Sequence, residues 1–180
     1  MRSAVQSGVR YAGRPLASRQ RVSWHVRVWD AGEQPSDWSR PSSWEMGLLQ
    51  QSDWGQARWI DHPGRTETQP MPIFARAFDL DRRRRVASAR LYLSGVGLHL
   101  PTLNGRELTG EVLAPGNSNY QLSSEYRTYD LTRALRAGAN TLGVRLGNGP
   151  AYVRRSVTNP AVGRTSPTPG GRASSRAAAP

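Results

Sequence analysis

The chain has 180 residues, among them 13 Pro, 18 Gly and no Cys, and its 25 basic against 13 acidic residues give a formal net charge of +12. That length suffices for one good core and part of a second, and short alternating runs broken by Pro and Gly favour an all-β class. Without cysteine, disulfides and thiolate metal sites are excluded; no run approaches the roughly 18 apolar residues of a membrane helix; and the start, with no apolar segment behind Arg2, is not a signal peptide, which leaves the cytoplasm as the default compartment.

Residues 1–21 hold five Arg and no acid and are interrupted by Gly13 and Pro15. Val22 to Asp30 then alternates, with Val22, Trp24, Val26 and Val28 on one side and Ser23, His25, Arg27 and Trp29 on the other. This predicts a strand with one buried face. After a loop at 32–36, Asp37-Trp38-Ser39 and Ser43 to Gly47 suggest another strand. His62-Pro63-Gly64 reads as a turn. Met71 to Phe78 is a strand placed at a sheet edge by Pro70 and Pro72, because proline cannot donate to a ladder. Arg82 to Arg85 follows Asp79-Leu80-Asp81 where a turn is expected, so this basic cluster is read as a solvated loop and not as a phosphate site.

The most informative stretch is Val86 to Gly149. Ala89, Leu91 and Leu93 alternate with Arg90, Tyr92 and Ser94, which gives a strand with one wet side. A second apolar run ends at Leu103, and the Asn104-Gly105 that follows tolerates the positive φ angles of a two-residue hairpin turn. Tyr126 to Leu146 reads as strand, one helical turn, strand: Asp130 or Thr132 caps the turn, Gly138 ends it in the left-handed conformation, and Leu142, Val144 and Leu146 restore the alternation. Beyond about Val157 the chain turns to Pro, Gly, Ser and Arg, a composition that cannot offset the entropy of ordering; residues 161–180 are expected to be a disordered basic tail. Residues 154–180 again hold five Arg and no acid. The excess charge therefore lies in the two ends, and neither a nucleic acid nor a membrane is expected as partner.

The ordered set Leu103 to Leu108, Val112-Leu113-Ala114-Pro115-Gly116, Tyr129-Asp130-Leu131-Thr132, Gly138 to Val144 and Leu146-Gly147-Asn148-Gly149 resembles the amino-terminal domain of bacterial α-L-rhamnosidases. The resemblance implies a galactose-binding-like jelly-roll sandwich over residues 53–160. Leu16 to Gly47 is similar to the last strands of a fibronectin type III-like sandwich, so that residues 1–50 form a partial piece of such a module and the chain begins inside a domain. Family members continue for several hundred residues into a helical barrel, and an early stop or a shifted reading frame would account for a chain without it. The cheapest check is the DNA downstream of the stop codon.

A glycosidase needs two carboxylates at a fixed separation, and the resemblance places those in the barrel. Here Asp130 reads as a helix cap, Glu107 as the residue after a hairpin turn, and Glu111 and Glu125 as loop or wet-face residues. His25, His62 and His99 are too scattered for a metal site, there is no Gly-x-Ser-x-Gly elbow, and Gly95-Val96-Gly97 lacks the third glycine of a dinucleotide loop. Sugars are held by aromatic faces and convergent polar groups on loops, so Asn117, Asn119, Tyr120, Asn148 and Tyr152 are the sugar-binding candidates. The resemblance implies substrate recognition or packing against the catalytic domain, with calcium in some relatives. Asn117 stands where relatives often have Trp, Asn119 where Asp is frequent, and His99-Leu100 replace a Tyr-Glu pair. Calcium prefers hard charged oxygens, so no cofactor is expected. The expected function is that of a non-catalytic amino-terminal fragment of an α-L-rhamnosidase, whose partner is the catalytic domain or a rhamnose-containing carbohydrate; the alternative is a stand-alone carbohydrate-binding module.

Overall fold

A computed structural model describes residues 4–5, 7–8, 10–63, 70–120, 122–147 and 177–179, and divides the chain into two units, Met1–Gly55 and Gln56–Pro180. All strand pairings among the described residues are antiparallel.

In the first unit β1 (Arg21–Trp24) pairs with β2 (Ser42–Glu45). Beyond β1 the chain stays extended, but serine side chains replace part of the ladder. The Val26 and Val28 amides donate to Ser39 Oγ and Ser36 Oγ, while the Ser39 and Ser36 amides donate to the Val26 and Val28 carbonyls. The alternation of Val22, Trp24, Val26 and Val28 is kept, yet its expected burial is not: Trp24, Val26 and Val28 are exposed. A two-stranded sheet has no second layer among the described residues to cover that side. On the opposite side Arg27 lies between Trp29 and Trp38, its guanidinium carbon 4.9 and 4.7 Å from the two ring centroids, and His25 packs on Trp38 at 4.2 Å. Cations over indole faces are attracted by the ring quadrupole, so this side is held by stacking. The unit closes with a short 3-10 helix, Gln51–Trp54. Its Asp53 carboxylate accepts hydrogen bonds from Ser18 Oγ and from the amides of Leu49 and Gln50, which hold it below the usual carboxylate range.

The second unit contains two four-stranded sheets. One has the order β3 (Arg58–Ile60), β10 (Ala177–Ala179), β5 (Arg90–Gly95), β8 (Tyr126–Asp130); the other has the order β4 (Ile73–Leu80), β9 (Gly138–Gly147), β6 (Leu98–Leu103), β7 (Arg106–Glu107). β4 takes the edge expected from its flanking prolines. Asn104 and Gly105, at φ 52° and 79°, form the turn between β6 and β7, and Gly138, at φ 80°, opens β9. Gly97, at φ 96°, lets the chain leave one sheet after β5 and enter the other at β6. One helical turn follows β8, with the Ala134 and Leu135 amides donating to the Leu131 carbonyl. Asp130 Oδ1 accepts from the Thr132 amide at 2.9 Å and pairs with Arg90 at 2.8 Å, so the capping role read from the sequence is the one the fold uses.

Alternation places one side of each sheet in a shared core. Leu91 and Leu93 of β5 and Tyr129 of β8 meet Leu103 of β6 and Val144 and Leu146 of β9. The disorder expected for 161–180 needs correction at Ala177–Ala179, which form β10 between β3 and β5. Strand pairing uses the backbone, which a three-residue run without charge or proline supplies whatever the composition around it. The rest of that tail, and residues 148–160 of the expected domain, lie outside the described residues.

Candidate functional site

The strand pattern that buries Pro101 and Leu103 also buries His99, two residues earlier on β6. The His99 amide donates to the Ala114 carbonyl at 2.9 Å, which straps the segment 111–114 along β6. Together, residues 98–100, this strap and residues 145–147 of β9 line an open pocket of about 200 Å3. Its walls are mainly aliphatic, from Leu98, Leu100, Val112, Leu113 and Leu146.

Arg145 and Glu111 also line the pocket, and Glu111 is paired with Arg127. His99 is 4 % exposed; its Nε2 lies 3.3 Å from the Tyr129 hydroxyl, and its Nδ1 is enclosed without a hydrogen-bond partner. Whichever tautomer is present, one ring nitrogen is satisfied and the other is not. Burial, and secondarily the charge of Arg127, push the imidazole down to about 4, while burial raises the Tyr129 phenol. Arg127 in turn bridges Glu111 and Glu125, at 3.4 Å from each. Two carboxylates sharing one guanidinium tie the loop to β8.

His99 gives a pH prediction. Its ordinary value is 6.5 and its folded value about 4, so between these the unfolded chain binds a proton that the folded chain does not. The contribution of His99 to stability is therefore fully present above about pH 6.5 and is lost as pH falls through the window to about 4, a change of about 3 kcal/mol. Urea titrations of the second unit at pH 7 and pH 4.5 should show this loss, and His99→Phe should flatten it.

Asn117 and Asn119 are exposed on the segment after the strap, and the Asn119 carbonyl accepts from the amides of Leu122 and Ser123. Tyr120 is half-buried, with its hydroxyl enclosed and without a partner. None of these three lines the pocket, and Asn148 and Tyr152 lie outside the described residues. No group of three His, Asp or Glu able to hold a metal occurs among the described residues, and the neutral Asn117 and Asn119 do not replace the charged oxygens calcium prefers. Likewise no helix is long and apolar enough to cross a membrane.

Among the described residues the chain is all-β, with a two-stranded first unit and a second unit of two sheets that carries an open, largely aliphatic pocket beside β6. Comparison with known proteins specifies the family. Residues 84–173 match the α-L-rhamnosidase N-terminal domain model, and residues 1–50 match the Rha78A-like N-terminal immunoglobulin domain model. The chain belongs to the α-L-rhamnosidase N-terminal domain family. It is 36 % identical over 166 residues to an α-L-rhamnosidase of Formosa agariphila, covering 82 % of this chain and 17 % of that one. The solved α-L-rhamnosidase structure from Dictyoglumus thermophilum aligns with TM-score 0.68 at 28 % identity, over 79 % of this chain and 17 % of that one. That from Aspergillus terreus aligns with TM-score 0.69 at 34 % identity, over 77 % and 16 %. The chain thus spans about a sixth of the length of the relatives it matches. The matched model for the first unit is an immunoglobulin domain, where the sequence suggested a fibronectin type III-like piece; both are two-layer sandwiches with the same strand alternation.

Proposed function

We propose that this chain is the non-catalytic amino-terminal region of an α-L-rhamnosidase, an enzyme that hydrolyses terminal non-reducing α-L-rhamnose from glycosides, and that it supports the catalytic domain of such an enzyme. In this reading the two sheets of the second unit are a galactose-binding-like jelly roll, and the first unit is the immunoglobulin-like domain that precedes it. The observation that carries it is the match to relatives of which this chain spans only about a sixth. The site chemistry agrees, because the acids nearest the pocket are engaged by Arg127 and the buried imidazole is held neutral.

Three measurements test the reading. The purified chain should give no turnover of an aryl α-L-rhamnoside, and measurable turnover would refute it. A chimera of the Formosa agariphila enzyme, its matched 166-residue stretch replaced by this chain's residues, should hydrolyse the same compound. An inactive chimera counts against a supporting role. Calorimetric titration of the chain alone with millimolar L-rhamnose, with and without calcium, should show no heat; binding would favour a stand-alone carbohydrate-binding module.

A further inference from the structure

An asparagine followed by a glycine carries its own reagent. The glycine amide nitrogen attacks Cγ of the asparagine, Nδ2 leaves as ammonia, and water then opens the cyclic imide to an aspartate or to an isoaspartate whose main chain runs through Cγ. Glycine favours the attack because no Cβ crowds its nitrogen. The sequence holds two such pairs, Asn104-Gly105 and Asn148-Gly149, of which the first lies among the described residues.

That pair forms the turn between β6 and β7, with Gly105 exposed and only open space where a Cβ would stand. The nucleophile is unhindered, but the carboxamide it must reach is not free. Asn104 Oδ1 accepts from the Thr141 amide at 2.9 Å and Nδ2 donates to Asn140 Oδ1 at 3.0 Å, so both ends of the group are held against β9. The Asn104 amide, donating to the Thr141 carbonyl at 2.8 Å, adds a third tie. Ring closure requires the carboxamide to give up both of its bonds and turn toward the Gly105 nitrogen.

We propose that Asn104 is a covalent modification site kept closed by the fold: it deamidates through the imide when its link to β9 opens, and the product does not rebuild that link. The second half follows from Asn140. An aspartate at 104 places an oxygen where Nδ2 had donated, opposite Asn140 Oδ1. Asn140 does not turn its own amide to meet it, because its Nδ2 donates to the carbonyls of Arg136 and Gly138 and its Oδ1 accepts from the Arg136 amide. Two acceptors then face each other on the half-buried side of the turn, an arrangement that costs more than the lost bond alone. The isoaspartate product adds a main-chain carbon to a two-residue turn whose length fixes the register of β6 against β7. An opening of this link thus leaves a permanent mark, made with water as the only co-reactant.

The test follows deamidation of the full chain at pH 8 by peptide mass spectrometry, without urea and in urea above the unfolding transition. Asn104 should react at least about tenfold more slowly in the folded chain than in the unfolded one. At urea concentrations below the transition its rate should rise in step with hydrogen exchange of the Thr141 amide, which is released by the same opening. In unfolding urea Asn148 of the same digests gives the rate of an open Asn-Gly pair, and Asn104 should match it. Equal rates at Asn104 with and without urea, or rates that ignore Thr141 exchange, overturn the closure; an Asn104 that stays intact while Asn148 reacts in urea overturns the site itself. The product is tested with Asn104→Asp, which should lower Tm by at least about 3 °C, and with Asn104→Gly, which suits the turn, carries no carboxylate and should melt above Asn104→Asp. Equal melting of these two variants, or native melting of Asn104→Asp, overturns the claim that the product fails to rebuild the link.

Discussion

Replacing Asn140 with alanine should destabilise the second unit by about 4 kcal/mol, a large part of what holds a domain of this size folded. Asn140 is 2 % exposed on β9, and its amide is fully used. Its Nδ2 donates to the carbonyls of Arg136, at 2.7 Å, and Gly138, at 2.9 Å; its Oδ1 accepts from the Arg136 amide and from Asn104 Nδ2, each at 3.0 Å. Asn104 passes the connection on, its Oδ1 accepting from the Thr141 amide and its own amide donating to the Thr141 carbonyl. One side chain thus pins the loop before β9 to the turn that joins β6 and β7. Alanine would leave these groups without partners, the Gly138 carbonyl in a buried place, and that unmet desolvation dominates the cost. Asn140→Leu separates the terms, since it keeps the branched four-atom shape, at a somewhat greater volume, but none of the hydrogen bonds. If Asn140→Leu were as stable as the native chain in a urea titration read from the β9 amide signals, packing and not the network would be the cause.

The same two asparagines show what could be read from the residues alone. Asn104-Gly105 announces a tight turn through its tolerance of positive φ, and Gly138 announces the end of the helical turn; both do so in the fold. Local backbone chemistry suffices for that. The bond between Asn104 and Asn140 is not local, since it joins residues 36 apart through strand register. His99 was half legible. Its parity with Pro101 and Leu103 places it on the core side of β6, but that Nδ1 is left without a partner depends on how Tyr129 of the other sheet and the 111–114 strap close around it. The exposed Trp24, Val26 and Val28 mark the converse limit. Period-two alternation says which side of a strand is apolar and cannot say whether a second layer covers it. Ala177–Ala179 were hidden for a related reason, because a strand inserted between two others is specified by backbone edges far away in sequence.

Leu93→Ala should cost the second unit about 4 kcal/mol, near the upper part of the range for truncating a buried leucine. Leu93 is 0 % exposed, and its strand lies inside its sheet, between β10 and β8. Its side chain belongs to the cluster that Leu103, Val144 and Leu146 complete from the facing sheet. The penalty for a vacated methyl group grows with the part of the void that neighbours cannot refill. Neighbours anchored by ladders on both sheets refill little, whereas an edge strand could shift toward the gap. Leu80, on the edge strand β4 and half-buried, supplies the contrast: Leu80→Ala should cost less than half as much in the same urea titration. Equal losses for the two would mean that the sheets relax as freely at their centre as at their edge, and the face-to-face core would not be the main source of this unit's stability.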